Sequence, residues 1–149
     1  MRGLPETMKQ HPDQLKIARI VEENTLTGTF VLASGRLSST YIDMRAAILN
    51  NSEFIAYYMN YMVGYDRVPI GTGASGALLL GCMRRKGYLF NPKDHGVMWS
   101  PQPVAGTLCT LIDDVLTSGA TMMRLKEEAE KVNLIVTNQV VLYDRSMLS

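Results

Sequence analysis

Short segments with the composition of β-strands alternate with helical segments between residues 67 and 145. The strand-like segments are largely apolar at successive positions, which is typical of strands buried on both faces of a sheet. A chain in which strands and helices alternate favours a parallel sheet covered by helices. We therefore expect an α/β fold. The predicted strands are 67–71, 88–91, 107–114 and 134–145, and the predicted helices are 77–87 and 122–132.

The first part of the sequence has a different pattern. Residues 12–24 have the apolar periodicity of a helix. Three apolar residues share one face of this helix and two isoleucines lie beside that face: Leu15, Ala18, Val21, Ile17 and Ile20. Residues 29–45 predict two short strands around a turn at 34–36. Ser52 is a candidate N-cap for another helix, which Gly64 would end.

Length and charge narrow the classes of protein to consider. A chain of 149 residues is the usual size of one domain, so we expect a single domain over residues 1–149. Its 15 basic and 14 acidic residues give no electrostatic case for nucleic acid or an anionic membrane as a partner. The first residues lack the apolar region of a signal peptide. Cys82 and Cys109 lie among apolar residues, which predicts reduced, buried thiols in a cytoplasmic protein.

A glycine-rich stretch follows the predicted strand at 67–71 and has the spacing G-x-G-x-x-G. A dinucleotide site is one interpretation, since Asp94 lies about 20 residues further on. Asp94 follows Pro92 inside a loop, however, and does not end a strand. The alternatives are a tight turn for helix packing and a turn whose N–H groups bind phosphate, which we favour. The residues concerned are Gly71, Thr72, Gly73, Ala74, Ser75 and Gly76.

Two adjacent acids, Asp113 and Asp114, end the predicted strand at 107–114 and precede a loop of small and hydroxyl-bearing residues. Free N–H groups at the start of the next helix attract a phosphate, and glycine lets the anion approach. The acids would repel that phosphate, so hydroxyl groups or a magnesium ion suit them better. A phosphorylated sugar with a diphosphate leaving group offers all these ligands. The loop residues are Thr117, Ser118, Gly119, Ala120 and Thr121.

The same segment has a simpler explanation as an N-capping turn with two solvated acids. That explanation accounts for the loop but not for two carboxylates at the end of an apolar strand. A P-loop is excluded because the lysine of the G-K-[ST] motif is absent.

Residues 91–106 contain three prolines and have no periodicity, which predicts a long irregular loop. On composition alone it is a solvated loop with ordinary charges. Beside a polyphosphate site, a mobile loop would bring Lys93 and His95 over the leaving group, neutralise its charge and exclude water.

Together these motifs resemble the type I phosphoribosyltransferases, and within that family the orotate-specific members. LIDDVLTSGAT is similar to the family's phosphoribosyl-pyrophosphate motif. GTFVLASGRLSSTYIDMR is similar to the substrate-side segment of the orotate enzymes, and KDHG is similar to the end of their catalytic loop. The order and rough spacing of the motifs agree from about Thr25 to Arg145, which is most of the chain.

The resemblance implies a fold and a reaction. The fold is an α/β fold with a parallel sheet and a small N-terminal hood segment. The reaction transfers the phosphoribosyl group of phosphoribosyl pyrophosphate to orotate, giving orotidine monophosphate and pyrophosphate. It uses Mg²⁺, held through substrate oxygens, with Asp113 and Asp114 as candidate protein ligands. The family also implies a homodimer in which each catalytic loop reaches the neighbour's site.

Roles for residues at the sugar and its phosphates follow from the same resemblance. Asp113 and Asp114 would hold the ribose hydroxyls. The segment 117–121 would bind the 5′-phosphate, and the segment 71–76 would contact the diphosphate.

The remaining roles concern the catalytic loop and the base. Lys93 and His95 would cover the diphosphate. Tyr41 would lie against the orotate ring. Arg145, which follows Asp144 on the last strand, would pair with the orotate carboxylate, because a guanidinium matches a planar carboxylate.

The sequence also departs from the family. The catalytic loop usually has the sequence R-K-x-x-K-D-H-G, but Leu89 and Phe90 stand here in place of the Arg-Lys pair, or the loop is shortened. Ser75 and Ala33 stand where lysine is common. The basic residues at 84–86 either compensate or form a solvated helix end.

Three other functions therefore stay open. A purine-base phosphoribosyltransferase would have no use for Arg145, since a purine has no carboxylate. A non-catalytic regulator that binds phosphoribosyl pyrophosphate would agree with the altered loop, but the sequence has no DNA-binding segment. A nicotinamide oxidoreductase would leave Asp113 and Asp114 unexplained.

Overall fold

Two β-sheets are present in the computed structural model, which describes residues 12–32, 34–92, 96–116 and 118–145. The sheets belong to two units, residues 1–50 and 51–149. A single domain over residues 1–149 stays a prediction.

The first unit contains helix α1 (Pro12–Glu23), strands β1 (Thr25–Val31) and β2 (Leu37–Ile42), and helix α2 (Met44–Asn50). The two strands form an antiparallel pair, as expected, although β1 begins before residue 29. The predicted buried face of α1 is wrong in part. Ile17, Ile20 and Val21 are buried, because their spacing places them on one side of the helix, whereas Leu15 and Ala18 are exposed.

Helix α2 was not predicted, because the hairpin interpretation extended to residue 45. Its N-terminal signal lies in Asp43, whose Oδ1 accepts a hydrogen bond from the Ala46 N–H at 3.1 Å. A side-chain oxygen that accepts from the third residue along is the usual N-cap contact. Met44, Ala47 and Ile48 are the buried residues of this helix.

The second unit has a five-stranded sheet flanked by helices. Its sheet order is β5-β4-β3-β6-β7, in which β5 is antiparallel to β4 and the other pairs are parallel. The predicted parallel α/β fold is therefore confirmed. In chain order the elements are α3 (Ser52–Val63), β3 (Val68–Thr72), α4 (Gly73–Met83), β4 (Tyr88–Phe90), β5 (Trp99–Ser100), β6 (Leu108–Leu116), α5 (Ala120–Lys131) and β7 (Ile135–Asp144).

One apolar core cluster of this unit lies between the sheet and α5. Met122, Leu125 and Ala129 of α5 belong to one buried cluster with Ile70 of β3 and Leu111 of β6. Strands buried in this way are apolar at successive positions, which is the pattern that predicted them. Helices α3 and α4 pack against each other.

Both cysteines have free thiols, and Cys109 is buried while Cys82 is half-buried.

The observed start of α3 differs from the predicted one: α3 begins at Ser52 itself, and its N-cap is Asn51 and not Ser52. Gly64, at the C-cap of α3, has a φ of 82° and ends the helix as expected. Across the described ranges, every helix is too short or too polar to span a membrane.

Candidate active site

Strand β4 lies next to β3 on one side, and β6, which comes later in the chain, lies next to β3 on the other side. Ligands of parallel sheets bind beyond the carboxyl ends of the strands at such a switch in strand order. Ile70 of β3 pairs with Leu111 of β6. Thr72 and Asp113 each stand two residues further along these neighbouring strands. The structure thus brings the glycine-rich segment and the acidic pair to one edge of the sheet.

Asp113 and Asp114 lie inside β6, which continues to Leu116. The expectation that the acids end the strand is therefore wrong. Pairing with β7 extends the strand, since Leu116 lies opposite Asp144. Side chains of a strand leave the backbone alternately on its two faces, so Asp113 starts on the face of Leu111 and Asp114 on the other. The Asp114 carboxylate nevertheless lies close enough to interact with that of Asp113.

The two carboxylates make local hydrogen bonds. Asp113 Oδ1 accepts from the Asp114 N–H at 2.8 Å, and Asp114 Oδ1 accepts from the Val115 N–H at 2.8 Å. Burial, together with hydrogen bonding and repulsion from the neighbouring Asp114 carboxylate, raises the pKa of Asp113 to about 7. Asp113 is thus held in an environment that disfavours its charged form, as is common at ligand sites.

The segment 71–76 is not the six-residue loop that we expected. Gly71 and Thr72 end β3, and α4 begins at Gly73. Gly71 and Gly76 pack so closely that a Cβ on Gly71 would lie 3.2 Å from the Gly76 Cα. The pair lets the first turn of the helix lie directly on the strand, which is the packing role considered from the sequence.

The same turn has the features of a phosphate site. Gly73 has a φ of 73°, and the space at its missing Cβ is open. The Thr72 hydroxyl donates to the Phe90 carbonyl at 2.6 Å and does not cap α4. The first N–H groups of α4, which include those of Ala74 and Ser75, are therefore without a side-chain cap. The packing role and phosphate binding are compatible at this turn.

The second helix start, after β6, has a related geometry. Gly119 is the N-cap of α5, has a φ of 83° and has open space at its missing Cβ. The Ala120 N–H donates to Ser118 Oγ at 3.3 Å. Ala120 and Thr121 belong to the first turn of α5, not to the preceding loop. Thr117, the first residue of the expected phosphate loop, lies outside the described residues.

Arg145 follows the last residue of β7 and is exposed. Asp113 lies opposite Val141 in the β6–β7 pair, so Arg145 stands four residues, or roughly 13 Å, further along the strand direction. Arg145 therefore lies at the same sheet edge as the acids but not beside them. A ligand that contacts both must extend over the carboxyl ends of β6 and β7.

The predicted long loop contains more structure than expected. Strand β5 pairs with β4, and the Asn91 N–H donates to the Met98 carbonyl at 2.7 Å. Trp99 is buried with its ring centroid 4.9 Å from that of Phe90. Lys93 and His95, the two predicted catalytic residues of this loop, lie outside the described residues, as does Asp94.

Tyr41 belongs to the first unit and was expected to contact the base. Its ring stacks on that of Phe30, with centroids 5.6 Å apart, and its side chain is partly exposed. The antiparallel pairing of β1 with β2 places Tyr41 opposite Leu26. The hairpin thus presents an aromatic pair, and the role of Tyr41 stays a prediction.

The basic residues at 84–86 do not compensate for the missing loop cations. They lie between the end of α4 and the start of β4, which is the opposite edge of the sheet. Arg85 donates to the Arg67 carbonyl and packs over the Tyr65 ring, 4.9 Å from its centroid. These contacts give Arg85 a structural role.

A cleft at the carboxyl edge contains a cation that the sequence interpretation missed. Arg124 lines this cleft with Thr121, one helical turn earlier on α5. The only sequence signal was the spacing of three residues, which places both side chains on one face of a helix. Among the described residues no cluster of three or more His, Cys, Asp or Glu side chains could hold a metal ion.

No protein-family model matches the chain. The orotate phosphoribosyltransferase of Aeropyrum pernix is 30% identical over 145 residues, which cover 87% of this chain and 77% of that protein. The orotate phosphoribosyltransferase of Pyrobaculum calidifontis is 30% identical over 131 residues, which cover 79% of this chain and 68% of that protein. The chain belongs to the type I phosphoribosyltransferase family.

The solved fold of this phosphoribosyltransferase family agrees with the structure. Orotate phosphoribosyltransferase of Mycobacterium tuberculosis, in complex with Fe(III) dicitrate, matches with a TM-score of 0.73 at 21% identity. That match covers 91% of this chain and 86% of the other. The chain spans only 28% of the length of the uridine 5′-monophosphate synthase of Naegleria gruberi, to which it is 28% identical.

Proposed function

We propose that the protein is an orotate phosphoribosyltransferase, which makes orotidine monophosphate and diphosphate from orotate and phosphoribosyl pyrophosphate. The observation that supports this most directly is the order of groups along one sheet edge. The glycine turn after β3, the acids of β6 and Arg145 after β7 follow one another across neighbouring strands. Diphosphate, ribose and a carboxylate-bearing base follow one another in the same way in the reacting pair of substrates.

The reaction breaks the bond between ribose C1 and the diphosphate oxygen and forms a bond between C1 and a ring nitrogen of orotate. The proton of that nitrogen is released with the diphosphate. Positive charge develops on the ribose in the transition state. Asp113 and Asp114 accept hydrogen bonds from the ribose hydroxyls, which orients the sugar and stabilises that charge.

The N–H groups at the starts of α4 and α5 bind the two phosphate ends of the sugar. Each start contains a glycine with positive φ and open space at its missing Cβ, Gly73 and Gly119. Helix N-termini attract anions because their N–H groups are free and their dipoles are positive there. A solved M. tuberculosis orotate phosphoribosyltransferase of this fold, with a TM-score of 0.68, contains phosphoribosyl pyrophosphate.

The donor set suits magnesium held mainly by the substrate. The described residues offer two adjacent carboxylates and no larger cluster of metal ligands. Oxygen atoms from Asp113, Asp114, the ribose and the diphosphate match the preference of Mg²⁺ for oxygen ligands and few protein groups. When bound there, Mg²⁺ neutralises charge on the leaving diphosphate.

Other parts of the proposal rest on the family resemblance. They are the roles of Lys93 and His95 over the diphosphate, of Thr117 at the 5′-phosphate and of Tyr41 beside the base. The homodimer and a cytoplasmic location rest on the same resemblance.

A spectrophotometric assay tests the choice of base. The protein is incubated with phosphoribosyl pyrophosphate and Mg²⁺, and consumption of orotate is compared with that of adenine, guanine and uracil. The proposal predicts turnover with orotate alone. Turnover with a purine would contradict it, and binding of phosphoribosyl pyrophosphate without turnover of any base would favour the non-catalytic regulator.

A further inference from the structure

A small cleft opens beside the candidate active site, on the face of the sheet that α5 covers. Its volume is about 150 Å³. Pockets that enclose drug-sized ligands measure roughly 300–1,000 Å³, so this cleft suits a group of the size of a phosphate or diphosphate. Its lining residues are Thr72, Phe90, Pro92, Thr121, Arg124 and Leu125.

The charge in this cleft comes from one residue. Arg124 is the single charged side chain among the lining residues, and the two threonines add hydroxyl groups. Within the described ranges its guanidinium has no hydrogen bond or ion pair with the protein. A guanidinium offers a planar fork of N–H donors that matches phosphate oxygens, so a phosphate group is the occupant that its chemistry favours.

The position of Arg124 indicates which of the two phosphate-bearing ends of the sugar substrate it lies near. The expected 5′-phosphate segment, 117–121, ends in the first turn of α5 at Thr121, and Arg124 lies one helical turn beyond that residue. The opposite wall is Thr72, at the diphosphate turn, with Phe90 and Pro92, where the catalytic loop begins. Arg124 therefore faces the diphosphate side of the site.

We propose that Arg124 binds the diphosphate group of the sugar substrate. This inference rests on the proposed function and adds a ligand-binding residue to it. Arg124 supplies from α5 a positive charge that the sequence lacks at Leu89 and Phe90, where the family's Arg-Lys pair is expected. A charge on a helix is held more rigidly than one on a loop, so diphosphate binding depends less on loop closure.

Calorimetric titrations with two separate probes test the assignment. Inorganic diphosphate with Mg²⁺ and ribose 5-phosphate are titrated into the wild-type protein, Arg124→Gln and Arg124→Lys. We expect Arg124→Gln to weaken diphosphate binding at least tenfold and to leave ribose 5-phosphate within twofold. Arg124→Lys should fall between, since it keeps the charge but loses the fork. Lys126→Gln is the matched control, because Lys126 is exposed on the same helix outside the cleft.

The outcomes separate the inference from the function on which it rests. Unchanged diphosphate affinity in Arg124→Gln would overturn the inference alone. An equal loss for ribose 5-phosphate would also overturn it, because Arg124 would then not be specific to the diphosphate side. A wild-type protein that binds neither probe would overturn the proposed function itself. Melting temperatures of all variants show whether an affinity change reflects unfolding. Arg124 is exposed, so Arg124→Lys should fold and keep the comparison possible even if Arg124→Gln does not.

Discussion

Asp113 Oδ1 accepts a hydrogen bond from the Asp114 N–H at 2.8 Å within β6, and the Asp114 carboxylate lies close to that of Asp113. The two acids are unequal despite being neighbours. Asp113 shares the face of the α5 core, and burial together with the Asp114 carboxylate raises its pKa to about 7. Without a ligand, the negative charge of Asp113 destabilises the folded protein. A ribose hydroxyl that donates a hydrogen bond to the carboxylate would offset this destabilisation.

The raised pKa of Asp113 gives a pH dependence with a definite sign. Between about pH 4 and pH 7 the folded protein binds a proton that the unfolded chain has lost, so this group makes stability fall as pH rises. Asp113→Asn should remove that fall. We expect the variant to gain about 1–2 kcal/mol over wild type at pH 8, after allowance for partial exposure, and much less at pH 5.

Thermal melts from pH 5 to pH 8 measure this difference. Asp66→Asn is the control, because Asp66 is an exposed acid paired with Arg67 at 2.8 Å. If Asp113→Asn melts at a lower temperature than wild type at pH 8, the Asp113 carboxylate stabilises the folded protein, and the prediction is wrong.

Arg145→Ala should weaken orotate binding at least tenfold and leave phosphoribosyl pyrophosphate binding within about twofold. A hydrogen bond to a charged group contributes about 1.5–3 kcal/mol, so its loss lowers orotate affinity by at least tenfold. Calorimetry with each ligand separately measures both affinities. Arg145→Lys should recover part of the orotate binding. Equal losses for the two ligands would mean that Arg145 has a structural role.

Gly71→Ala should destabilise the protein by about 1–3 kcal/mol, because its Cβ would lie 3.2 Å from backbone atoms of Gly76 that cannot move aside cheaply. Gly81→Ala is the matched control. Gly81 lies in α4 with open space at its missing Cβ, so alanine there should stabilise the helix by up to about 1 kcal/mol. Denaturant unfolding of the two variants gives both values, and equal effects would refute the close-packing argument.

A mixture of two inactive variants tests the proposed homodimer. If the catalytic loop acts in the neighbouring site, Lys93→Ala and Asp114→Asn damage different halves of one shared site. Subunit exchange then creates one site with a wild-type loop and wild-type acids. Activity of the mixture should exceed that of either variant. No recovery after demonstrated exchange would place the loop in its own chain's site, or remove Lys93 from catalysis.

Much of the fold could be predicted because its signals are local in sequence. The observed ends of strands β3, β4, β6 and β7 each lie within two residues of the predicted ends. The alternation of these strands with helices predicted the parallel sheet. The acids of β6 and the glycine turn that ends β3 stand together because these two strands are neighbours in the sheet. That proximity depends on the strand order, which the sequence analysis did not predict.

The missed features depend on contacts between distant residues. Helix α4 begins at Gly73 because Gly76 packs on Gly71, and periodicity alone placed its start four residues later. Strand β5 is only two residues long and exists through its pairing with β4. Arg124 lies in a cleft formed by three separate elements, so its sequence neighbours gave no indication of the site.

Phosphorus NMR of the reacting mixture tests the central claim most directly, because it observes the bond that the reaction breaks. Phosphoribosyl pyrophosphate and Mg²⁺ are incubated with the protein, with and without orotate. Beside the wild-type protein we place the variant with both Asp113→Asn and Asp114→Asn. The account predicts that free diphosphate and a nucleotide monophosphate appear in equal amounts only with wild-type protein and orotate. Intact phosphoribosyl pyrophosphate in that sample, or equal turnover by the double variant, would contradict it.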